Sequence, residues 1–303
     1  MELRCMDDYV DSLQEVKEIR KAPGTEDLTK LEMKIYRKMI GKFNWLAQST
    51  RPDLYYTSLS MAKKNNGATI ADLRKINFVM KKVKERPSRM FYSQIGKKED
   101  LEVIGIGDAS YKSDENSIGG DLIFIKEAHG DRASLVYWKT KQIAKVTHSS
   151  KHAETLNLSK LVDDAVFLAR QLEMLLFGSY EGRIPVKLFT DSEPSLESLA
   201  SLRQVERKLL RMTVKDLKDR LLQGEVTSYS WLPTKEMMAD CLTKEMKMPE
   251  SMERVLMGEG LVLKEPFTNE IRNVDGELRM RNIRNRKKVE IGDLGQDVDH
   301  ERG

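Results

Sequence analysis

Three short segments between residues 101 and 140 are rich in apolar and β-branched side chains, a composition typical of β-strands. They are LEVIGIGD at 101–108, GGDLIFIKEA at 119–128 and ASLVYWKT at 133–140. Polar turns that contain glycine separate them, and strands joined by such turns pair antiparallel. The pattern therefore predicts a meander of three antiparallel strands.

Apolar residues recur at helical spacing after residue 150 and predict a long helix from Lys151 to about Phe177, closed by Gly178. The remaining predicted elements are a strand, PVKLFTDS, at 185–192, helices through 194–222, a strand, VTSYSWLP, at 226–233, and a terminal helix at about 234–246. The order is βββαβααβα. Because a helical crossover precedes the fourth strand, that strand can lie parallel to the first. The sequence thus predicts an α/β domain over residues 101–248, with a mixed five-stranded sheet flanked by helices.

The preceding segment, residues 34–100, also has helical periodicity and carries an unusual charge. It holds 16 Lys and Arg residues against five Asp and Glu residues, although the whole chain has a net charge of only +4. We expect two or three amphipathic helices with basic outer faces. Such faces suit a polyphosphate backbone, and they equally suit a solvated surface.

The two ends of the chain give weaker signals. Residues 1–33 are charged and mildly amphipathic, and we interpret them as a leader segment. Residues 249–303 form a charged tail that we expect to be disordered, because it becomes polar after about Leu263. Its basic stretch, RMRNIRNRKK at 279–288, suits contact with nucleic acid, a nuclear address or simple solubilisation.

Cysteine content and hydropathy indicate the cellular setting. The two cysteines, Cys5 and Cys241, are far apart in sequence and predict neither a disulfide framework nor a CxxC metal site. No apolar run approaches the length of a membrane span. We expect an intracellular protein, cytoplasmic or nuclear, without a membrane partner.

Four carboxylates follow or begin predicted elements where they can converge. Asp108 ends the first strand, Asp191 ends the fourth, Glu154 lies in the first turn of the long helix, and Asp240 lies on the terminal helix. Neighbouring parallel strands bring their carboxyl ends together. Clustered carboxylates repel one another unless a cation lies among them, and Mg²⁺ or Mn²⁺ prefers oxygen ligands. The alternative is that Asp108 and Asp191 are ordinary capping residues.

Longer motifs add a family resemblance. They are GDASYKSDENSIGG at 107–120, YWKTKQIAKVTHSSKHAETLNLSKLVDDAVFL at 137–168, LFTDSEPSLESL at 188–199 and WLPTKEMMADCLTKEM at 231–246. In this order they resemble the ribonuclease H domain of copia-type LTR retrotransposon polyproteins. Upstream, YRKMIGKFNWLAQSTRPDLYYTSLSMA at 36–62 resembles the segment that follows the reverse transcriptase palm in those polyproteins.

The resemblance implies a ribonuclease H-like fold and a specific site. Asp108, Glu154, Asp191 and Asp240 match the positions of the family's metal-binding carboxylates, with Asp108 and Asp191 as central ligands. The implied cofactor is Mg²⁺ or Mn²⁺, as two ions, because a two-ion site activates water on one side of a phosphate and stabilises the leaving oxygen on the other.

The implied substrate is the RNA strand of an RNA–DNA hybrid or another nucleic acid, and other transposon-encoded proteins are candidate partners. A hybrid presents 2′-hydroxyls across a shallow minor groove, while basic helices can contact its phosphates. Lys139, Lys141 and Lys151 flank the expected site and are candidates for phosphate contacts, although a solvated face explains them equally well.

The sequence also departs from the family pattern. The family's histidine-containing stretch corresponds to RKLLRMTVKDLKD at 207–219, which has no histidine. His148 and His152 precede Glu154, and His152 is a candidate general acid or base, although an exposed histidine near a helix start is more often uninvolved. Met6-Asp7-Asp8 faintly resembles a polymerase metal motif without the strand that precedes it. We therefore expect a transposon remnant that does not synthesise DNA.

Two other functions fit the sequence. The chain can be a catalytically inactive, domesticated or degenerate nucleic-acid-binding remnant that keeps the fold and the basic helices. It can also be an integrase or transposase core, which shares this sheet but uses three acids, the last on a late helix. Glu154 and Asp240 argue against the second alternative.

Overall fold

The amino-terminal part of the chain forms a helical unit in the computed structural model, which describes residues 2–17, 19–94, 96–111, 116–201, 208–263, 269–274 and 277–282. Its elements are β1 (Glu2–Cys5), α1 (Asp7–Asp11), α2 (Lys30–Ser49), α3 (Tyr55–Ala62), α4 (Ile70–Lys84) and β2 (Arg89–Tyr92). β1 and β2 pair antiparallel. The three helices α2 to α4 agree with the periodicity of residues 34–100.

Capping residues fix where the main helices of this unit begin. Thr29 before α2 and Thr69 before α4 each form a capping box, with Glu32 and Asp72 respectively. The inward faces share one apolar core that includes Tyr36, Phe43, Leu46, Leu73 and Ile76. Lysines of α4 point outward, as the basic outer face requires.

The described residues before α2 are part of this unit rather than a separate leader. Val10 and Leu13 are buried in the same core as α2 and α4. The side-chain amide of Asn77 donates to the main-chain carbonyl of Val16 at 2.9 Å. The leader interpretation therefore changes, because the weak apolar pattern of this segment still supplies side chains that are buried in the core of the helical unit.

The larger unit is built on a mixed sheet. Its elements, in chain order, are β3 (Leu101–Ser110), β4 (Ile118–Glu127), β5 (Ala133–Gln142), α5 (Ser150–Phe177), β6 (Val186–Thr190), α6 (Glu193–Ala200), α7 (Lys208–Leu222), β7 (Ser228–Trp231), α8 (Asp240–Thr243), α9 (Glu250–Leu256), β8 (Asn269–Val274) and β9 (Glu277–Asn282). Among the described residues the strand order is β5-β4-β3-β6-β7-β8-β9. β3 lies antiparallel to β4 and parallel to β6, which is parallel to β7. The predicted mixed α/β sheet is confirmed: the five predicted strands are present, and β8 and β9 extend the sheet to seven strands among the described residues.

Helices cover both faces of this sheet. Val103 of β3 and Leu188 of β6 share a core with α5 and α7. On the opposite face, Ile104 and Ile106 of β3 share a core with α8 and α9. Within the described parts of the chain, no helix has the length and apolarity that a bilayer crossing requires.

The terminal helix predicted at 234–246 is divided. A 3-10 turn over Thr234–Glu236 and the short helix α8 replace it. The backbone leaves helical geometry at Met237, and this break lets Met237, Met238 and Leu242 all reach the core beneath the sheet. Burial of three apolar side chains outweighs the continuity of one helix.

The predicted disordered tail differs most from the structure. α9 buries Met252 and Val255 in the core, and β8 extends the sheet by pairing with β7. Ile271 of β8 is fully buried against the α5 face, which explains why these strands form despite their charge. Pairing of β8 also covers the edge of β7, which would otherwise expose unpaired backbone groups. Residues 283–303, which include most of the basic stretch, lie outside the described residues.

The two units are in direct contact. The indole Nε1 of Trp138 on β5 donates to the main-chain carbonyl of Ala47 on α2 at 2.6 Å. Lys75 of α4 forms an ion pair with Glu245, just after α8, at 2.9 Å. The basic helices therefore dock beside α8, at the end of the chain segment that carries Asp240.

Candidate functional site

Three of the four predicted carboxylates converge. Asp108 lies near the end of β3, Asp191 directly follows the parallel neighbour β6, and Glu154 lies in the first turns of α5. One carboxylate oxygen from each lies within 4.8 Å of the others. Asp108 and Glu154 are buried, and Asp191 is half-buried. The parallel pairing of β3 and β6 brings the two aspartates together, as the strand argument predicts.

Close packing between α5 and two glycine-containing strands positions Asp108 and Glu154. A side chain at Gly119 of β4 would overlap the amide group of Asn157, and one at Gly107 would crowd the same group. The absence of both side chains lets Asn157 approach the sheet, where its Nδ2 donates to the main-chain carbonyl of Asp108 at 3.1 Å. The carboxylate of Glu154 accepts a hydrogen bond from the main-chain amide of Ala109. Both carboxylates are thus fixed on rigid elements.

Burial and mutual repulsion disfavour the charged forms of these acids. Burial, together with the charges of Asp108 and Asp191, raises the pKa of Glu154 from 4.5 to about 9. Burial also raises the pKa of Asp108 to about 6, against the lowering effect of a hydrogen bond from Thr243. The pKa of Asp191 is raised mainly by burial. A cation among the three would reverse these shifts, since it favours the ionised forms.

The donor set matches a hard divalent cation. Three carboxylates supply oxygen atoms alone, which suits Mg²⁺ or Mn²⁺ and not a metal that prefers sulfur or nitrogen. The oxygens lie close enough to share one ion. On this chemistry, the residues fit the predicted cofactor.

Asp240 lies beside this trio but is not part of it. Its Oδ1 accepts a hydrogen bond from Nζ of Lys244 at 2.6 Å, and Lys244 also approaches Oδ2 of Asp108 at 3.8 Å. The hydroxyl of Thr243 donates to the same Oδ2 of Asp108. A lysine therefore lies between Asp108 and Asp240.

Thr243 and Lys244 were not predicted from sequence. Lys244 lies four residues after Asp240, and opposite charges at this spacing pair on a helix. The spacing could therefore have predicted the pairing of these two residues. The contact of Thr243 with Asp108 spans 135 positions and has no local signature.

The three candidate phosphate-contacting lysines differ in their surroundings. Lys139 is exposed and Lys151 is half-exposed. Lys141 instead donates to Asp121 at 2.6 Å, and Asp121 is fully buried. A buried carboxylate requires a partner, so Lys141 has a structural role that its sequence position did not reveal.

The sequence suggested that His152 is exposed, but the structure buries it. It is 3% exposed, and its ring stacks on His148 with 5.9 Å between the centroids. Its neighbours Ala153 and Leu156 form a small apolar cluster with Ala109, so this end of α5 packs against β3 instead of facing solvent.

Comparisons with known proteins identify no close relative. No protein-family model matches the chain, and no curated protein matches it. Among solved structures, an amino-terminal ribonuclease H domain from Mycobacterium tuberculosis is 18% identical with a TM-score of 0.35, over 47% of this chain and 91% of that one.

Two further structures also have low similarity to this chain. The LC11 ribonuclease H1 in complex with an RNA/DNA hybrid is 15% identical with a TM-score of 0.35, over 51% of this chain and 99% of that one. The foamy viral protease-reverse transcriptase in complex with dsDNA is 16% identical with a TM-score of 0.29, over 48% of this chain and 92% of that one. At such low similarity we base the function on the geometry of the site.

Proposed function

We propose that the protein is a divalent-metal-dependent nuclease that cleaves the RNA strand of RNA–DNA hybrids, as a ribonuclease H does. The observation that carries this proposal is the convergence of Asp108, Glu154 and Asp191 within 4.8 Å at the ends of two adjacent parallel strands. The motifs that resemble copia-type polyproteins support the same activity and a retrotransposon origin. They also favour an intracellular setting with transposon-encoded proteins as candidate partners.

Asp108, Glu154 and Asp191 would hold Mg²⁺ or Mn²⁺ at this site. When bound, such ions activate a water molecule and stabilise the leaving oxygen of a phosphodiester. Thr243 fixes the orientation of Asp108 by donating to its Oδ2, and Thr234 donates to Oδ2 of Asp191 at 3.2 Å. Asp240 is the fourth candidate ligand, and it can join the site once Lys244 releases it.

The surroundings of the site favour a nucleic-acid substrate. α4 carries exposed lysines at Lys81, Lys82 and Lys84, and the ion pair between Lys75 and Glu245 holds this helix next to α8. A basic surface beside a metal site attracts a polyphosphate backbone and gives salt-dependent binding. An RNA strand adds 2′-hydroxyls that distinguish a hybrid from duplex DNA.

The test is cleavage of a labelled RNA–DNA hybrid in Mg²⁺, in chelator, and beside single-stranded RNA. We expect Mg²⁺-dependent cleavage by the wild-type protein and its loss in Asp108→Asn and Asp191→Asn. Asp100→Asn, an exposed carboxylate at the other end of the same strand region, serves as the control and should cleave normally. Circular dichroism verifies that each variant is folded. Unchanged cleavage by both site variants would refute the proposal.

One observation favours a second function. Because Lys244 already pairs with Asp240, the fourth carboxylate is neutralised without a metal ion. An inactive nucleic-acid-binding module would tolerate this arrangement. If the protein is such a module, wild type and Asp191→Asn should both bind hybrids in a salt-sensitive way, and neither should cleave them.

A further inference from the structure

Lys244 places a positive charge at the site, and a metal-binding pattern does not require one there. Its Nζ lies 2.6 Å from Oδ1 of Asp240 and 3.8 Å from Oδ2 of Asp108. The aspartates themselves are close enough that the charge of Asp240 raises the pKa of Asp108. The ammonium group thus pairs with Asp240, lies near Asp108, and offsets one of the two negative charges.

The backbone that carries Lys244 is held firmly. Oγ1 of Thr140 donates to the main-chain carbonyl of Leu242 at 2.8 Å, and the side chains of Cys241 and Leu242 are buried. Gly120 of β4 allows this close approach, because a Cβ there would collide with Leu242 and Thr243. The chain leaves helical geometry at Lys244 itself. The side chain therefore starts from a fixed point beside the acids, while about half of it stays exposed and able to move.

We propose that Lys244 is a tethered cation that takes the place of a second divalent ion between Asp108 and Asp240. The inference rests on the proposed function, since it assigns the number of ions to the same site. Asp108, Glu154 and Asp191 then bind the first ion, and a second ion binds only after Lys244 withdraws toward solvent. Lys244 is a positioning residue for Asp108 and Asp240, and it sets how many metal ions the resting protein holds.

Electrostatic repulsion predicts how removal of Lys244 changes the affinity for the second ion. An ammonium and a divalent ion that compete for the same two carboxylates exclude each other, because like charges at short range repel. With Lys244 removed, Asp108 and Asp240 keep their two negative charges and lose the positive charge that offsets one of them. The second ion should then bind more tightly, while the first ion should change less.

The test is a titration of the full chain with Mn²⁺ alone, in which free Mn²⁺ is counted by electron paramagnetic resonance. We expect wild type to bind one ion tightly and a second ion weakly, and Lys244→Met to bind the second at least about tenfold more tightly, because a competing charge is gone. Lys244→Arg keeps the charge and should resemble wild type. Lys247→Met removes an exposed charge from the same segment and should also resemble wild type.

The outcomes separate this inference from the proposed function. If wild type binds two ions with similar affinity, or if Lys244→Met binds the second ion as wild type does, the tethered-cation role is wrong and the nuclease proposal stands. If wild type binds no Mn²⁺ and is indistinguishable from Asp191→Asn in the titration, the tethered-cation role and the nuclease proposal are both wrong. Lys244→Met should fold, because the Lys244 side chain is half-exposed, and its circular dichroism spectrum checks this.

Discussion

Asn157 of α5 links the helix that carries Glu154 to the strand that carries Asp108, since its Nδ2 lies 3.1 Å from the main-chain oxygen of Asp108. The same nitrogen lies 2.9 Å from Oδ1 of Asp121 and 3.3 Å from the main-chain oxygen of Gly120. One buried amide therefore joins β3, β4 and α5 beneath the acidic cluster. The cluster depends on a polar network that includes the main chain of Asp108 but none of the carboxylates that would bind the metal ion.

Replacement of Asn157 should weaken the protein and loosen the site. Asn157→Ala leaves two carbonyl oxygens and a carboxylate oxygen without this donor, and a buried group that loses its partner costs about 1–3 kcal/mol. Urea denaturation measures the change in the free energy of unfolding. Lys160→Ala, on the exposed face of the same helix, is the control and should change stability little. Equal stability of Asn157→Ala and wild type would contradict this role.

Lys141 should be essential for stability whereas its neighbour Lys139 should not. Lys141→Met leaves the fully buried carboxylate of Asp121 without its ion-pair partner. Removal of one partner from a buried ion pair costs about 3–5 kcal/mol of stability. Lys139→Met, two residues earlier on the same strand, removes an exposed charge and should leave the unfolding midpoint near that of wild type. Thermal denaturation of the two variants checks the difference. Similar losses in both would show that burial of Asp121 does not depend on Lys141.

The raised pKa of Glu154 predicts an unusual dependence of stability on pH without metal. Between about pH 4.5 and about pH 9 the unfolded chain releases a proton that the folded protein keeps on Glu154, so the free energy of unfolding falls as pH rises. Each unit of pKa difference corresponds to about 1.4 kcal/mol. Glu154→Gln cannot ionise, and in chelator it should be more stable than wild type at about pH 8 and similar to it at about pH 4.5.

The control for this measurement is Glu99→Gln, which alters an exposed carboxylate. It should follow wild type at both pH values. If Glu154→Gln differs from wild type by the same amount at both pH values, ionisation of Glu154 does not explain the difference.

Binding of a divalent ion should release protons. Because the pKa of Glu154 is about 9, this group is protonated at neutral pH, and an ion must displace its proton to use it as a ligand. The affinity for Mg²⁺ should therefore rise with pH above the pKa of Asp108, which is about 6. Calorimetry in two buffers of different ionisation enthalpy counts the released protons. Glu154→Gln should release fewer, and an affinity that does not change with pH would argue against direct coordination by Glu154.

The sequence by itself determined the order of the strands and most of the helices of residues 101–248, and it predicted that Asp108 and Asp191 would meet if the first and fourth strands were parallel neighbours. Periodicity reports which side of an element is buried, and a helical crossover permits the first and fourth strands to run parallel. Once those strands are parallel neighbours, their ends coincide. The position of Glu154 followed from its place in the first turns of the helix that packs on the same strands.

Only the tertiary structure decided which polar groups meet these acids. The pairing of Lys141 with Asp121 and of Thr243 with Asp108 joins residues on different elements, and hydropathy patterns carry no information about such partners. The same limit applies to the hairpin of β8 and β9. Its charged sequence shows little alternation of apolar and polar residues, yet Ile271 packs into a core formed by residues that are far away in sequence. Long-range packing overrides local composition there, since burial is a property of the assembled fold.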